Sequence, residues 1–450
     1  MIKRALTIAG SDSGGGAGIQ ADLKTFAALG VHGMSAITCV TAQNTEKVTA
    51  IAQIPAEIVR EQIRVVVEDI GVDAVKTGML YSEEIIESVA DELSDLSVPV
   101  VVDPVAVAKS GAPLLKPNAV DALVRKLLPK ATVVTPNINE AKMFTNMEIT
   151  SFDEMVVAAE KIASMGPSAV VVKGGHLLSA KTTDVLLYAG KVYDFVVDRI
   201  YTKNTHGTGC TFASAIAAYL AKGYKIPQAV RNAQLFVNEA IKRGLSVGRG
   251  YGPVHPTGLV YEYAEKMKAL KILREAVKML ETVKELALVL PESGSNIVMA
   301  YDEAISPQEI ACIPGRIVRL GDGFKIVSEP WFGHSTHVAN AVLKARAFDR
   351  SIKSAMNIKF EESLLQIFDS LGLSNSFYDR SQEPEEIKAQ EGRTIPWGIE
   401  QAMKSAGGVT DVIYHRGDVG KEPMATVFGV DAYDVARKVI RIAKRKAGVE

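Results

Sequence analysis

Four short, almost wholly apolar runs constrain the first half of this chain: Leu6-Thr7-Ile8-Ala9, Val98-Pro99-Val100-Val101-Val102, Thr132-Val133-Val134-Thr135 and Ala169-Val170-Val171-Val172. A strand with one wet face alternates apolar and polar residues; continuous runs of this kind call for cover on both faces. The expectation is a largely parallel sheet between two helix layers. Helical patterns alternate with these strands up to about residue 255. Each run also ends in residues with chemistry: Gly10-Ser11-Asp12, Asp103-Pro104, Pro136-Asn137 and Lys173-Gly174-Gly175. Ligands of open α/β sheets collect beyond the carboxyl ends of strands, so four such endings argue for a site.

A further stretch, Thr205-His206-Gly207-Thr208-Gly209-Cys210-Thr211, runs into a helix whose residues Phe212, Ala215, Ile216, Tyr219 and Leu220 form one apolar face. Glycines at a helix start leave several N–H groups without intrahelical partners. With the helix dipole, those donors suit a phosphate or a developing oxyanion. The same glycines could simply build a tight turn before a core helix. Cys210 could take a proton from an attacking alcohol. A helix N-terminus lowers a thiol's pKa, so a thiolate near neutral pH is expected there; a buried, inert cysteine is the plain alternative.

Asp103 and Glu140 follow neighbouring strands, and carboxylates so placed can share a hydrated magnesium ion. Either acid alone also suits a helix cap or a solvated loop. Lys173 could neutralise phosphate charge or be an ordinary surface lysine. Gly10–Gly18 lacks both the dinucleotide fingerprint and the Walker pattern, and better suits a loop folded closely over a substrate.

At 450 residues the chain exceeds one ordinary core, and a composition shift places a boundary near residues 258–272. From Leu259 to Leu290 there is no glycine or proline, and the pattern is helical. The part beyond mixes strand-like pieces (Asn296–Met299, Arg316–Val318) with helices such as Val338–Phe348 and Val430–Ala447, an α/β or α+β pattern. A net charge of −1 gives no electrostatic case for nucleic acid or an anionic membrane. Cys39, Cys210 and Cys312 lie far apart without metal-ligand spacing, which fits free thiols in a cytoplasmic protein. The start Met1–Ala9 lacks the apolar region of a signal peptide, and no run approaches the roughly 20 apolar residues of a membrane span.

The ordered stretches Ala5–Asp12, Gly14–Leu29, Ala42–Thr45, Lys76–Leu80, Asp103-Pro104, Ala108–Leu115, Thr135–Glu140, Lys173–His176, Asn204–Thr211 and Gly248–His255 resemble the hydroxymethylpyrimidine/phosphomethylpyrimidine kinases of thiamine biosynthesis. The resemblance implies a ribokinase-like three-layer αβα sandwich over 1–257, with ATP and Mg2+. It implies Asp22 and Gln43 as polar contacts to an aminopyrimidine, Met79 packed on its ring and Gly10 helping by its backbone. A Gln amide offers both a donor and an acceptor to such a heterocycle. By the same resemblance Asp103 and Glu140 manage magnesium, Asn137, Lys173 and Thr208 meet ATP phosphates, and the N–H groups of Gly207–Cys210, Gly209 included, form an anion hole. Two phosphorylations at one site, and a homodimer, are implied as well. Pyridoxal-type kinases share the superfamily and offer an alternative acceptor.

In the second part, Gly294-Ser295-Asn296-Ile297, Pro314-Gly315-Arg316, His337, Asp379-Arg380, Glu383-Pro384, Trp397-Gly398, Asp411–Tyr414 and Gly420-Lys421-Glu422-Pro423 resemble the archaeal-type thiamine-phosphate synthase domain. That resemblance spans about 268–450, after a helical connection at 258–267. It implies joining a pyrimidine diphosphate to a thiazole phosphate, with Arg316 and His337 on the departing pyrophosphate and Lys421 on the other phosphate. A ligand-sensing module is the competing reading of this part.

Overall fold

The computed structural model describes residues 2–106, 114–116, 118–175, 180–388, 394–418 and 420–450. Residues 108–113 and His176, within the stretches quoted above, lie outside the described residues. The chain divides into two compact units, Met1–Val260 and Tyr261–Glu450. The helix Gly258–Glu281 runs unbroken through the residues where the composition shifts.

The first unit is built on nine strands: β1 Lys3–Asp12, β2 Val31–Gln43, β3 Val48–Gln53, β4 Ala74–Thr77, β5 Val100–Val102, β6 Val133–Val134, β7 Ala169–Val172, β8 Lys181–Tyr188 and β9 Lys191–Asp198. Their order is β3-β2-β1-β4-β5-β6-β7-β8-β9. β1, β2, β4, β5, β6 and β7 pair in parallel, while β3, β8 and β9 run antiparallel at the two edges. Side chains on successive strand residues point to opposite faces. Leu6, Ile8, Val100, Val102, Val134, Val170 and Val172 therefore enter one core with the helices Ala56–Asp69, Glu83–Ser94, Ile138–Thr145 and Phe152–Ala163. Ala5, Val101, Val133 and Val171 enter the other, with Gly18–Ala28, Thr208–Ala221 and Ile226–Lys242. This is the three-layer sandwich that the apolar runs require.

The second unit holds a seven-stranded sheet of β10 Ile297–Met299, β11 Ala311–Cys312, β14 Trp331–Phe332, β15 Ser354–Lys359, β16 Asn375–Phe377, β17 Val412–His415 and β18 Met424–Gly429, in the order β14-β11-β10-β15-β18-β17-β16. All its pairings are antiparallel except β16 with β17. The residues after Arg316 form a separate hairpin, β12 Ile317–Leu320 with β13 Gly323–Ile326. The helix Ala432–Lys446 starts on an Asp431 cap, whose carboxylate accepts the Asp434 N–H at 2.8 Å, and ends in Lys444, Arg445 and Lys446. Both ends thus suit its dipole.

Candidate active sites

In the first unit a cavity of about 740 Å³ lies at the carboxyl ends of the parallel strands. Gly10, Gln43, Met79, Asp103, Asn137, Glu140, Lys173, Gly207, Thr208, Gly209 and Cys210 all line it. Residues scattered over 200 positions meet there because parallel strands deliver their carboxyl ends to one edge of the sheet.

The helix Thr208–Ala221 begins at Gly207, which is left-handed with φ 79°. A Cβ at Gly207 would collide with the Gly16 carbonyl, so this turn and the 10–18 loop can pack only through glycine. At Gly209 the reason is different. A Cβ there would sit 3.4 Å from Lys173 Nζ and 3.5 Å from Asp103 Oδ2, inside the space where an anion would lie between that pair and the helix N-terminus. The Thr208 hydroxyl faces back, donating to the Thr205 carbonyl at 2.7 Å.

Lys173 Nζ lies 3.1 Å from Asp103 Oδ1. The Lys173 strand end is fixed by its N–H on the Pro136 carbonyl, and the Asp103 end by its N–H on the Thr77 carbonyl. Burial alone would lower the Lys173 ammonium, but Asp103 and Glu140 hold it above the usual lysine range, so it stays a cation. Glu140 is pushed up by burial and by Asp103, against the pull of Lys173. Asn137 and Glu140 together form a capping box on the helix Ile138–Thr145. Glu140 Oε2 accepts the Asn137 N–H at 2.8 Å and Oε1 the Ala106 N–H at 3.2 Å. Glu140 is thus a helix cap, and the same side chain lines the cavity. Among the described residues no group of three or more His, Cys, Asp or Glu forms an all-protein cage. Two carboxylates flanking a phosphate-sized space are a donor set that suits magnesium, which keeps its waters and takes phosphate oxygens.

Two expectations need correcting. Asp22 is fully buried and is not among the cavity-lining residues. Its Oδ2 accepts from Lys76 Nζ at 2.8 Å and Thr7 Oγ1 at 2.6 Å, and its Oδ1 from Ser214 Oγ at 2.6 Å. These donors spend Asp22 on neutralising Lys76, whose own side chain is among those lining the cavity. The second correction concerns Cys210. Burial pushes its thiol up to about 12, and Asp22 and Asp103 add to this, outweighing Lys76 and the Gly18 N–H. At neutral pH the group is a thiol, not the expected thiolate.

Sequence reading passed over Asp12 and His206. Asp12 Oδ2 accepts the N–H groups of Ala17 at 2.8 Å and Gly16 at 3.1 Å, and Oδ1 that of Gly14 at 2.8 Å. His206 Nε2 stands 3.0 Å from Asp12 Oδ2 and 3.3 Å from the Gln43 amide. Burial would raise the Asp12 carboxyl, but His206 and the Gly14 and Ala17 N–H groups hold it below the usual range. Both residues stood inside quoted motifs; a contact across 194 positions leaves no local signal.

In the second unit Arg316 is exposed and left-handed at φ 72°, and its Nη1 donates to the Ser293 carbonyl. Glu422 accepts the N–H groups of Glu292 and Ser293 and the Ser293 hydroxyl, at 2.9, 3.4 and 3.1 Å. Arg316 and the loop of Lys421 thus meet on Ser293. Asn296 and Asn357 pin the same corner: the Asn296 amide exchanges two hydrogen bonds with Ile313, and Asn357 Nδ2 donates to the Gly294 carbonyl. His337 comes from another element, as the exposed first residue of the helix His337–Phe348. Gly398 is explained by packing, since a Cβ there would strike the Tyr378 ring. Arg380 lies 4.0 Å from Glu383, largely buried.

The phosphomethylpyrimidine kinase family profile matches residues 12–255, more than half of the chain. The chain belongs to that family. A second profile, thiamine-phosphate synthase ThiN, matches residues 272–441, so the chain also carries a synthase domain and is an enzyme of thiamine biosynthesis. The hydroxymethylpyrimidine/phosphomethylpyrimidine kinase of Rhizobium meliloti (strain 1021) is 51% identical over 258 residues, 57% of this chain and 97% of that protein. The thiamine biosynthesis bifunctional protein ThiED of Geobacter sulfurreducens is 49% identical over 251 residues, 56% of this chain and 51% of that one. Among solved structures, Bacillus subtilis pyridoxal kinase in an ADP complex matches with TM-score 0.55 and 40% identity over 58% of this chain and 99% of its own. Staphylococcus aureus pyridoxal kinase with AMP-PCP and pyridoxal matches with TM-score 0.54 and 38% identity, over 58% and 95%. The kinase domain therefore has the ribokinase-like fold. No described helix is long and apolar enough to cross a membrane.

Proposed function

We propose that the kinase domain transfers the γ-phosphoryl group of ATP first to the hydroxymethyl oxygen of 4-amino-5-hydroxymethyl-2-methylpyrimidine, then to the phosphate so formed. The observation that carries this reading is the Asp103–Lys173–Glu140 cluster facing the glycine-lined helix start across one cavity. The N–H groups of Gly207–Cys210 hold the transferring phosphoryl oxygens, and Lys173 with Thr208 and Asn137 holds the ATP phosphates. Gln43 and Met79 hold the pyrimidine, with Gly10 at its back. Asp103 and Glu140 would hold magnesium through its waters, and the ion would supply charge neutralisation on the phosphates. Phosphoryl transfer with a loose transition state demands positioning more than a strong base. That accommodates Cys210 as a thiol, and the second acceptor, a phosphate, needs no base at all.

The synthase domain joins this diphosphate to a thiazole phosphate and releases pyrophosphate. Arg316 and His337 hold the departing pyrophosphate, and Lys421 the thiazole phosphate. One product assay tests both halves: the full-length protein with hydroxymethylpyrimidine, ATP, magnesium and thiazole phosphate is expected to yield pyrimidine phosphates and then thiamine phosphate. Diphosphate without thiamine phosphate would move the second domain to a sensing role; no pyrimidine phosphorylation would refute the kinase reading. Arg316→Ala is expected to cut condensation about a hundredfold while leaving both phosphorylations intact. The likeness to pyridoxal kinases supports a second acceptor, pyridoxal, which a substrate panel would test.

A further inference from the structure

The hydrogen-bond chain around Gln43 decides which way its amide can face. Asp12 is a carboxylate and only accepts, so the proton between it and His206 Nε2, 3.0 Å away, belongs to the histidine. Gln43 Nε2 lies 3.3 Å from that same protonated nitrogen, donor against donor. At the other end Thr41 Oγ1 has one proton but two carbonyl oxygens in reach, Ser11 O at 3.1 Å and Gln43 Oε1 at 3.2 Å. Turning the Gln43 amide by 180° removes both conflicts at once. Its oxygen then accepts from His206, its N–H2 donates to Thr41, and Thr41 donates to Ser11. The oxygen and nitrogen of a side-chain amide are assigned from their network, so the network decides.

We infer that Asp12 and His206 form a lock that fixes the orientation of the Gln43 amide and thereby selects the acceptor ring. His206 is a positioning residue: it acts through Gln43. One amide N–H and the remaining oxygen lone pair are left to face the cavity in a fixed order. A ring with an exocyclic amino donor beside a ring-nitrogen acceptor matches that order; a ring lacking the amino group does not. The lock also clips recognition to chemistry. Asp12 caps the 14–17 loop, Gly16 packs against the His206 ring, and His206 directly precedes the Gly207 turn, held there by its N–H on the Gly252 carbonyl at 3.0 Å.

The inference rests on the kinase reading, and the wild-type protein separates the two: failure of the wild type to phosphorylate hydroxymethylpyrimidine refutes that reading and this one with it. With wild-type activity present, kcat and KM are measured for hydroxymethylpyrimidine and for pyridoxal in the full-length protein and in His206→Ala and His206→Asn. For His206→Ala the lock predicts a KM for hydroxymethylpyrimidine raised about tenfold to a hundredfold, kcat changed far less, and the preference over pyridoxal reduced by a similar factor. His206→Asn, which keeps one N–H donor, is expected to recover most of the loss. An unchanged KM, or equal losses for both acceptors, would overturn the lock. A wild-type measurement guards against misfolding of the variants: in the NMR spectrum of selectively labelled protein, the Gln43 amide protons should show contacts to Thr41. Contacts to the His206 ring instead would overturn the assignment.

Discussion

Two aspartate–lysine pairs flank the same helix start, and they do opposite work. Asp22 and Lys76 are both fully buried at 2.8 Å, and Asp22 is saturated by two hydroxyl donors as well. Asp103 and Lys173, at 3.1 Å, keep 4% and 16% of their side chains exposed, and both line the cavity. A buried pair whose acceptor capacity is filled serves first to hold the fold, although Lys76 is among the cavity-lining residues. A pair of the same chemistry with one open edge can exchange partners with phosphate and metal-bound water. Solvent access decides the role, not residue type.

The largest effect should come from the open pair. Lys173→Met is expected to lower kcat/KM for the first phosphorylation by about a thousandfold, since a fixed cation at a transferring phosphoryl group contributes on that scale. Its denaturation midpoint should move less than that of Lys76→Met, because Asp103 keeps an edge on the cavity. Lys76→Met should do the reverse and cost about 3–5 kcal/mol in equilibrium unfolding, because it strands the Asp22 carboxylate in the core. The double variant Asp22→Asn/Lys76→Met, which removes both charges, should regain most of that stability. If Lys76→Met instead lowered activity with stability intact, the contrast between the pairs would fail.

Sequence reading placed Asp103 and Lys173 at strand ends beside a site and read Asp22 as a substrate contact, and the difference has a physical reason. Asp103, Asn137 and Lys173 each end a strand, and parallel strands deliver their ends to one edge, so their meeting follows from pattern alone. Asp22 lies within the helix Gly18–Ala28, whose residues Ile19, Ala21, Thr25 and Phe26 are buried, and nothing local says that its carboxylate turns inward to a lysine 54 positions on. Cys210 failed differently. The helix N-terminus was legible, and such a position in general favours a thiolate, but the burial and the two nearby carboxylates that raise this thiol exist only in the folded chain. In the second unit, Ile317–Val318 read correctly as strand, yet their partner is the adjacent β13 rather than the main sheet. Short-range strand propensity does not encode pairing.

Cys210 gives a medium effect. With its thiol at about 12 against about 9 for a free thiol, Cys210 is protonated through the assay range. Cys210→Ser should keep first-step activity within about tenfold, where loss of a true general base would cost about a hundredfold or more. The pH–rate profile should show no inflection between 7 and 9 that the substitution removes. The linked stability has a fixed sign: the folded state holds its proton more tightly, so Cys210's contribution is complete below pH 9 and is lost as pH rises toward 12. An inflection near neutral pH that disappears in Cys210→Ser would restore the thiolate.

The smallest effects come from a second matched comparison, between two capping boxes. Asn137 with Glu140 and Ser151 with Glu154 close their helices by the same reciprocal hydrogen bonds. The first box lines the cavity with both residues; in the second Ser151 is exposed and Glu154 half-buried, away from the cavity. Ser151→Ala should cost about 1 kcal/mol of stability and leave phosphorylation untouched. Asn137→Ala should cost a similar amount and also raise the KM for ATP several-fold, because the same residue lines the cavity proposed to take the phosphates. Thermal denaturation and ATP titration of both variants separate the cap from the site. Equal kinetic behaviour of the two would reduce Asn137 to a cap and leave Lys173, Thr208 and the helix start to hold the nucleotide alone.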